Sequence, residues 1–293
     1  MMALEPIPAE TIWGGERLFP YVRHEGMKNI GQLYTVQCRR EKSNRILNGP
    51  WAGRSLYEYY QSRKQALGLS YDEYPLLIAL VDAKEDLSVQ VHPDDRCAAD
   101  LEQWPFGKTE SWYFLEEPDR GEIVNGCRCR SKEELTRLSG EGRFPDIIDH
   151  LPVKKGDYVF VDAGTLHALG AGSLVYEIQE NVDFTYRFYD YGRRDSQGNE
   201  RPLHLKKALE AVKTGFKSSA SHYRGEIREA KYRTLLLEGT DFENTWGTWA
   251  FVTVLDGQLQ ADGIAAERGT SVLLEPGERL KSGPSVRAMA AAL

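Results

Sequence analysis

The sequence is poor in cysteine, and the cysteines it has are badly spaced for cross-links or metal binding. They are Cys38, Cys97, Cys127 and Cys129. Only the last two are close neighbours, and a one-residue gap without a second pair is not the spacing of a zinc ribbon or a redox pair. We therefore expect free thiols in a reducing compartment, which favours the cytoplasm.

The sequence also lacks a long apolar run and an excess of positive charge. Hydrophobic residues make up 41% of the 293 positions, but no stretch is long and apolar enough for a transmembrane helix. No N-terminal segment has the basic start and apolar core of a signal peptide. The net charge is −7, from 37 Lys and Arg against 44 Asp and Glu, and the basic residues are scattered. We expect a cytoplasmic protein that binds neither membranes nor nucleic acid.

What the sequence does contain is many short strand patterns separated by glycine and proline. Helical patterns are few and short. Regularly spaced strands with such turns are typical of an all-β sandwich or barrel. The predicted strands cover residues 30–37, 74–82, 87–92, 109–115, 174–179, 185–191, 248–255, 258–261 and 269–274, and residues 152–161 are predicted as a turn followed by a further strand.

One of these strands carries an unusual polar face. Ser88, Gln90 and His92 occupy alternate positions, so their side chains project from the same face about 6 to 7 Å apart. The valines between them point the other way, and Pro93 ends the strand because it has no N–H to donate. A hydroxyl, an amide and an imidazole on one face of a β-branched strand indicate a ligand or a metal ion.

Two further residues could complete a metal site. Glu110 lies on an aromatic-rich strand, and His167 follows a glycine-containing turn. Two imidazoles and a carboxylate suit zinc or another first-row divalent ion, and the amide oxygen of Gln90 could complete the set. Taken singly, each has an ordinary alternative: a buried histidine bonded to a backbone carbonyl, or an exposed carboxylate.

The succession of strand, turn, strand, glycine turn and histidine over residues 152–167 is typical of a cupin jelly roll. Residues 267–278 repeat the pattern more weakly and without a histidine. We therefore expect a cupin β-sandwich of two related modules. The first, residues 1–222, would be catalytic and carry a small helical insertion near 131–150. The second, residues 223–293, would lack metal ligands.

Five motifs stand out along the chain. They are YPLL (74–77), LSVQVHPDD (87–95), GKTESWY (107–113), AGTLHAL (163–169) and QENVDFTYRFYDY (179–191). Together they resemble the type I mannose-6-phosphate isomerases, in particular their short bacterial form, and the resemblance extends from about Ile12 to the C-terminus. It implies a cupin fold, one bound Zn²⁺, and the interconversion of mannose 6-phosphate and fructose 6-phosphate.

The resemblance also implies roles for individual residues. The zinc ligands would be Gln90, His92, Glu110 and His167. Arg187 would be the active-site arginine, and Ser88 would lie on the phosphate side of the substrate. Lys108 and Glu177 would line the substrate pocket, and either could move the proton between C1 and C2 through a cis-enediol. We expect a sugar phosphate as the partner, and a monomer or homodimer.

Each of the three charged residues has a structural alternative. Arg187 lies among aromatic residues and could stack there while paired with Asp183 or Asp190. Lys108 follows Gly107 in a loop, where lysines are usually solvated. Glu177 alternates with apolar neighbours and could face solvent.

Two positions depart from the family pattern. Ala79 stands where the family usually has a lysine, and Gln32 stands where it usually has a glutamate. We prefer a zinc-dependent mannose-6-phosphate isomerase with an altered phosphate site. The alternatives are an isomerase of another sugar, unphosphorylated sugars included, and a non-catalytic sugar-binding regulatory cupin.

Overall fold

The structure, a computed structural model, describes residues 1–194 and 197–293. It confirms the all-β prediction, since strands are many and the helices are short. The strands are β1 (Met2–Leu4), β2 (Ile7–Ala9), β3 (Gln32–Val36), β4 (Leu76–Asp82), β5 (Val89–Val91), β6 (Glu110–Glu116), β7 (Glu122–Cys127), β8 (Ile148–Pro152), β9 (Asp157–Val161), β10 (His167–Ala168), β11 (Leu174–Glu180), β12 (Tyr186–Tyr189), β13 (Ala220–His222), β14 (Glu226–Arg228), β15 (Arg233–Glu238), β16 (Phe242–Glu243), β17 (Ala250–Asp256), β18 (Gln258–Ala261), β19 (Ile264–Glu267), β20 (Ser271–Leu274), β21 (Arg279–Leu280) and β22 (Arg287–Ala292).

The helices occupy little of the chain. Across the two described ranges, none combines the length and the apolar character needed to cross a membrane. The α-helices are α1 (Leu56–Arg63), α2 (Asp95–Glu102), α3 (Lys132–Gly140), α4 (Phe144–Ile147) and α5 (Leu205–Ala211), and two short 3-10 helices cover Phe19–Tyr21 and Gly49–Trp51.

The chain forms two compact units. The first comprises Met1–Glu10, Glu16–Leu80 and Tyr223–Leu293, and the second comprises Thr11–Gly15 and Val81–His222. These units describe packing, whereas the division into residues 1–222 and 223–293 refers to repeated modules. That division stays a prediction.

The second unit contains two antiparallel sheets. One has five strands in the order β12-β5-β10-β7-β8, and the other includes the run β13-β9-β6-β11. On the outer side of the five-stranded sheet an apolar cluster gathers valines of β5 with residues of the helices, among them Val89, Leu135, Phe188 and Ala208. Because alternate residues of a strand face opposite ways, the other side of β5 is left for Gln90.

The first unit has a six-stranded antiparallel sheet with the order β1-β20-β17-β22-β15-β14. An apolar cluster in this unit includes Val252, Val272, Leu274 and Leu280, all almost fully buried. The central strands β17, β20 and β22 are buried at nearly every position, which shows that both faces of the sheet are covered there.

The predicted helical insertion is present as α3 and α4, although β8 already begins at Ile148. Ser131 caps α3, because its side chain accepts a hydrogen bond of 3.2 Å from the Glu134 backbone. The Glu134 carboxylate returns to the backbone N–H of Arg130 at 2.9 Å rather than to that of Ser131. The returning hydrogen bond from Glu134 therefore reaches the residue before the N-cap, whereas in a standard capping box it reaches the N-cap residue itself.

Candidate active site

Strand register brings three predicted site residues into one row. On β5, Gln90 pairs directly with His167 of β10 on one side and with Arg187 of β12 on the other. Directly paired residues of an antiparallel sheet project from the same face. His92 lies two residues beyond Gln90 and therefore shares that face. The five-stranded sheet thus presents an amide, two imidazoles and a guanidinium together.

The other sheet supplies the carboxylates. Glu110 of β6 pairs with Gln179 of β11, and Trp112 pairs with Glu177 two positions along. All four side chains therefore project from one face of this sheet. Glu110 is 1% exposed, so it is not the ordinary surface carboxylate that its position alone would allow.

Two histidines and Glu110 meet between the sheets. The Nε2 atom of His92 lies 3.0 Å from Glu110 Oε2, and Nε2 of His167 lies 3.3 Å from Glu110 Oε1. One ligand atom from each residue lies within 4.8 Å of the others, and all three residues are buried. This group could bind a metal ion.

The hydrogen bonds of the two histidines determine which nitrogen faces the centre with a lone pair. His92 Nδ1 contacts the carbonyl of Phe184 at 2.8 Å, and His167 Nδ1 contacts the carbonyl of Thr165 at 2.9 Å. A carbonyl can only accept, so each Nδ1 carries the proton and donates it. Burial lowers the pKa of both rings, that of His167 to about 4. Both rings are therefore neutral and present an Nε2 lone pair.

These residues fit a cation. Two Nε2 lone pairs face a carboxylate that also offers only lone pairs, and the buried Glu110 Oε1 has no hydrogen-bond partner among residues 1–194 and 197–293. Such an arrangement is repulsive unless a positive charge lies between the groups. Two neutral imidazoles and a carboxylate are a donor set that zinc accepts.

Gln90 is placed to add a fourth donor. Its Nε2 lies 3.3 Å from His167 Nε2. Rotation of the amide by 180° puts Oε1 in the same position, since the two amide atoms differ little in size. The structure therefore brings together all four residues that the family resemblance implies as zinc ligands.

Lys108 is buried beside this cluster and is not a solvated loop lysine. Its Nζ lies 3.3 Å from Glu110 Oε2, and its side chain is 8% exposed. Burial alone would raise the pKa of Glu110, but the charge of the Lys108 ammonium lowers it below its usual range. Glu110 therefore stays ionised, as a metal ligand must be.

Glu177 does not face solvent, since it is only 6% exposed. Its Oε1 accepts a hydrogen bond of 2.9 Å from Trp112 Nε1, and its Oε2 accepts one of 2.9 Å from Gln179 Nε2. Burial and the charge of Glu110 raise the pKa of Glu177 to about 7, against the opposing effect of Lys108. A carboxylate with this pKa can both take and release a proton near neutral pH.

Trp112 and Gln179 were not identified from the sequence. Each stands two residues beyond a recognised carboxylate, Glu110 and Glu177 respectively. The spacing of two is a signal that they share the carboxylate's face. What the spacing could not show is that both donate to the same partner.

Arg187 lies beside Gln90 with part of its guanidinium unsatisfied. Its Nη1 donates to the carbonyl of Pro202 at 2.9 Å, whereas its Nε is buried and, within the described ranges, has no hydrogen-bond partner. Asp190 accepts two hydrogen bonds of 2.7 Å from Arg201 and two more from Arg193. Of the two carboxylates suggested as structural partners of Arg187, Asp190 is thus engaged by other arginines.

The remaining predicted positions are less informative. Ser88 is 4% exposed and immediately precedes β5, so it continues the strand that carries Gln90. Ala79 is fully buried within β4. Gln32 accepts a hydrogen bond of 2.8 Å from the Tyr34 hydroxyl. The roles of Ser88, Lys108, Glu177 and Arg187 stay predictions.

Comparison with known proteins decides the family. A family model described as phosphomannose isomerase type I, catalytic domain, matches residues 3–124. The protein YvyI of Bacillus subtilis is 37% identical over 229 residues, which cover 78% of this chain and 71% of that protein. The chain belongs to the type I phosphomannose isomerase family. The mannose-6-phosphate isomerase ManA of B. subtilis is 38% identical over 209 residues, covering 71% of this chain and 66% of ManA.

A solved structure confirms the fold of this phosphomannose isomerase family member. The crystal structure of the mannose 6-phosphate isomerase from B. subtilis superposes with a TM-score of 0.86 and 29% identity, over 100% of this chain and 99% of that one. The predicted family, the cupin-type β fold and the assignment to isomerases are confirmed. The predicted metal is confirmed only as a His-Glu-His group that could bind one.

Proposed function

We propose that this chain interconverts mannose 6-phosphate and fructose 6-phosphate with one Zn²⁺ held by Gln90, His92, Glu110 and His167. The observation that carries the proposal is the convergence of two Nε2 lone pairs on an ionised, buried Glu110. Bound there, the ion would polarise an oxygen of the open-chain sugar. The cytoplasmic location and the monomer or homodimer state stay predictions.

Glu177 is the residue we assign to proton transfer between C1 and C2. Its pKa of about 7 lets its carboxylate accept the proton from one carbon and return it to the other through a cis-enediol. The hydrogen bonds from Trp112 and Gln179 hold the carboxylate in place while it does so. Glu177 therefore acts as base and then as acid.

Lys108 and Arg187 are assigned to substrate binding and charge stabilisation. The Lys108 Nζ lies 3.3 Å from Glu110 Oε2, so we assign it to binding the substrate and assign the proton transfer to Glu177. The Arg187 Nε lacks a partner among the described residues, so an oxygen that becomes negative during the reaction would satisfy it. Ser88 adds a hydroxyl on the phosphate side.

Solvent-proton exchange tests the reaction. Zinc-loaded protein in ²H₂O is incubated with mannose 6-phosphate, fructose 6-phosphate and the free sugars, and deuterium at the sugar carbons is followed by NMR. Exchange and interconversion of the two phosphates support the proposal. Exchange with free sugars alone would indicate a different isomerase, and no exchange at all would indicate a non-catalytic cupin.

Arg187→Ala tests the assigned arginine. We expect zinc content to stay at the wild-type level while kcat falls by about 100-fold or more, because an electrostatic donor is lost. The melting temperature serves as the control for folding. A large drop in melting temperature with undiminished turnover per folded molecule would make Arg187 structural instead.

A further inference from the structure

The loop that carries Lys108 is anchored on both sides by carboxylates that the proposed mechanism does not use. Three consecutive backbone N–H groups of this loop donate hydrogen bonds to fixed acceptors. Gly107 donates to Asp95 Oδ1 at 2.8 Å, Lys108 to the carbonyl of Pro93 at 3.0 Å, and Thr109 to Glu180 Oε2 at 2.9 Å. The backbone of Lys108 therefore has little freedom to shift.

Gly107 allows the loop to lie against the segment that follows His92. A Cβ added at this position would lie 2.3 Å from the carbonyl oxygen of Pro93 and 2.5 Å from the carbonyl carbon of Asp94. Both obstacles are backbone atoms, so neither can turn away as a side chain could. Only glycine permits the approach that makes the hydrogen bond to Asp95.

The two aspartates of the His-Pro-Asp-Asp motif have separate partners. Asp94 caps α2 by accepting a hydrogen bond of 2.8 Å from Cys97, and it also pairs with Lys213 at 2.6 Å. Asp95 is the first residue of α2 and directs its carboxylate to Gly107 instead. The cap thus fixes the start of the helix, and the helix presents Asp95 to the loop.

Glu180 anchors the Lys108 loop on the side of Thr109. It is 8% exposed at the end of β11. Its carboxylate accepts from both the N–H and the hydroxyl of Thr109, at 2.9 and 3.0 Å, and its own N–H donates to the Thr109 carbonyl at 3.1 Å. Strand β11 also carries Glu177, so this anchor ties the Lys108 loop to the strand of the proposed proton carrier.

We propose that Asp95 and Glu180 are positioning residues for Lys108, which through Gly107 and Thr109 hold its ammonium 3.3 Å from Glu110. The inference rests on the proposed function only in that Lys108 acts on the substrate. Towards the loop, each carboxylate needs to supply only an oxygen acceptor, because Gly107 and Thr109 offer neutral N–H and O–H groups.

Asp95 gives the cleaner test because it is exposed, so the protein should fold without it. We expect Asp95→Ala to lower kcat/KM by about 10-fold, with unchanged zinc content, since one hydrogen bond to a charged acceptor is lost. Asp95→Asn keeps an oxygen and should stay within about twofold of wild type. Asp100→Ala, an exposed position on the same helix, is the matched control and should behave as wild type.

A double variant of Asp95 and Lys108 distinguishes a role of Asp95 in positioning Lys108 from a general effect of Asp95 on the fold. In a Lys108→Met background, Asp95→Ala should have no further effect on kcat/KM, because the group that it positions is gone. Glu180→Gln should resemble Asp95→Asn, and Glu180→Ala should resemble Asp95→Ala. Additive effects in the double variant, equal losses for Asp95→Asn and Asp95→Ala, or unchanged kcat/KM in Asp95→Ala would each overturn the proposal.

A readout independent of turnover distinguishes this inference from the proposed function. The amide of Gly107 should exchange with solvent deuterium faster in Asp95→Ala than in wild type, and at the wild-type rate in Asp95→Asn. If wild type showed no isomerase activity, the proposed function would fail while the exchange result still tested the anchor. Unchanged Gly107 exchange in Asp95→Ala would show that Asp95 does not hold the loop.

Discussion

Residues 156–167 and 269–280 contain the same turn framework but have different chemistry. Each begins with a glycine at positive φ, Gly156 at 86° and Gly269 at 84°, followed by a strand. Eight residues on comes a second such glycine, Gly164 at 95° and Gly277 at 84°. Three residues beyond it stands His167 in one segment and Leu280 in the other.

The difference lies in what surrounds that last residue. His167 lies beside Glu110, Gln90 and His92, whereas Leu280 is 1% exposed within an apolar cluster and pairs directly with Phe242. Strand, turn and burial are the same in both cases. The comparison teaches that this framework places a buried side chain equally well for packing or for metal binding, and that the neighbouring strands decide which.

Replacing His167 by leucine, the residue type found at position 280, should have the largest effect of the changes considered. His167→Leu removes a proposed zinc ligand that no nearby group replaces, so we expect zinc affinity to fall by at least about 100-fold and isomerase activity to disappear. Metal analysis after dialysis and the isomerase assay measure this. A variant that retained stoichiometric zinc would show that His167 is not a ligand.

Replacing Leu280 by histidine should instead lower the free energy of unfolding. Leu280→His loses apolar contacts and buries an imidazole among aliphatic side chains, so we expect the free energy of unfolding to fall by about 3 kcal/mol, with no gain of metal. Urea denaturation and metal analysis check both parts. An unchanged free energy of unfolding would mean that Leu280 contributes little to its cluster.

The two turn glycines should differ by a smaller amount. Gly277→Ala meets no atom within 4 Å, so its cost is that of positive φ, about 1 kcal/mol. At Gly164 an added Cβ would also lie 2.7 Å from Lys213 Cγ and 3.1 Å from the carbonyl of Ala211. Gly164→Ala should therefore cost about 2 kcal/mol and also weaken zinc binding through His167. Equal melting temperatures for the two variants would contradict this.

The pH dependence of stability in the metal-free protein gives a further test. The pKa of Glu177 is raised from 4.5 to about 7, so the folded state holds a proton that the unfolded state releases. Glu177 therefore stabilises fully below pH 4.5, and this contribution is lost as the pH rises to about 7. Glu177→Gln should remove that decline. Parallel unfolding curves for both proteins between pH 4.5 and 7 would argue against the raised pKa.

Much of the fold and the metal group was predictable because it depends on local pattern. Period-two alternation placed Gln90 and His92 on one face, and the glycine turn before His167 marked where a strand would restart. The positions of Lys108 and Glu177 were harder. A lysine after a glycine and a glutamate among apolar residues look exposed from their neighbours alone, yet both side chains are buried.

By itself, the sequence determined the order of strands and turns and the residue types available for chemistry, because these follow from the conformational preferences of adjacent residues. Only the tertiary structure decided that Trp112 and Gln179 both bond to Glu177, and that Asp95 and Glu180 hold the loop of Lys108. The physical reason is that such contacts depend on register between segments distant in the chain. That register is set by the packing of whole sheets, and the sequence pattern of a single segment does not reveal it.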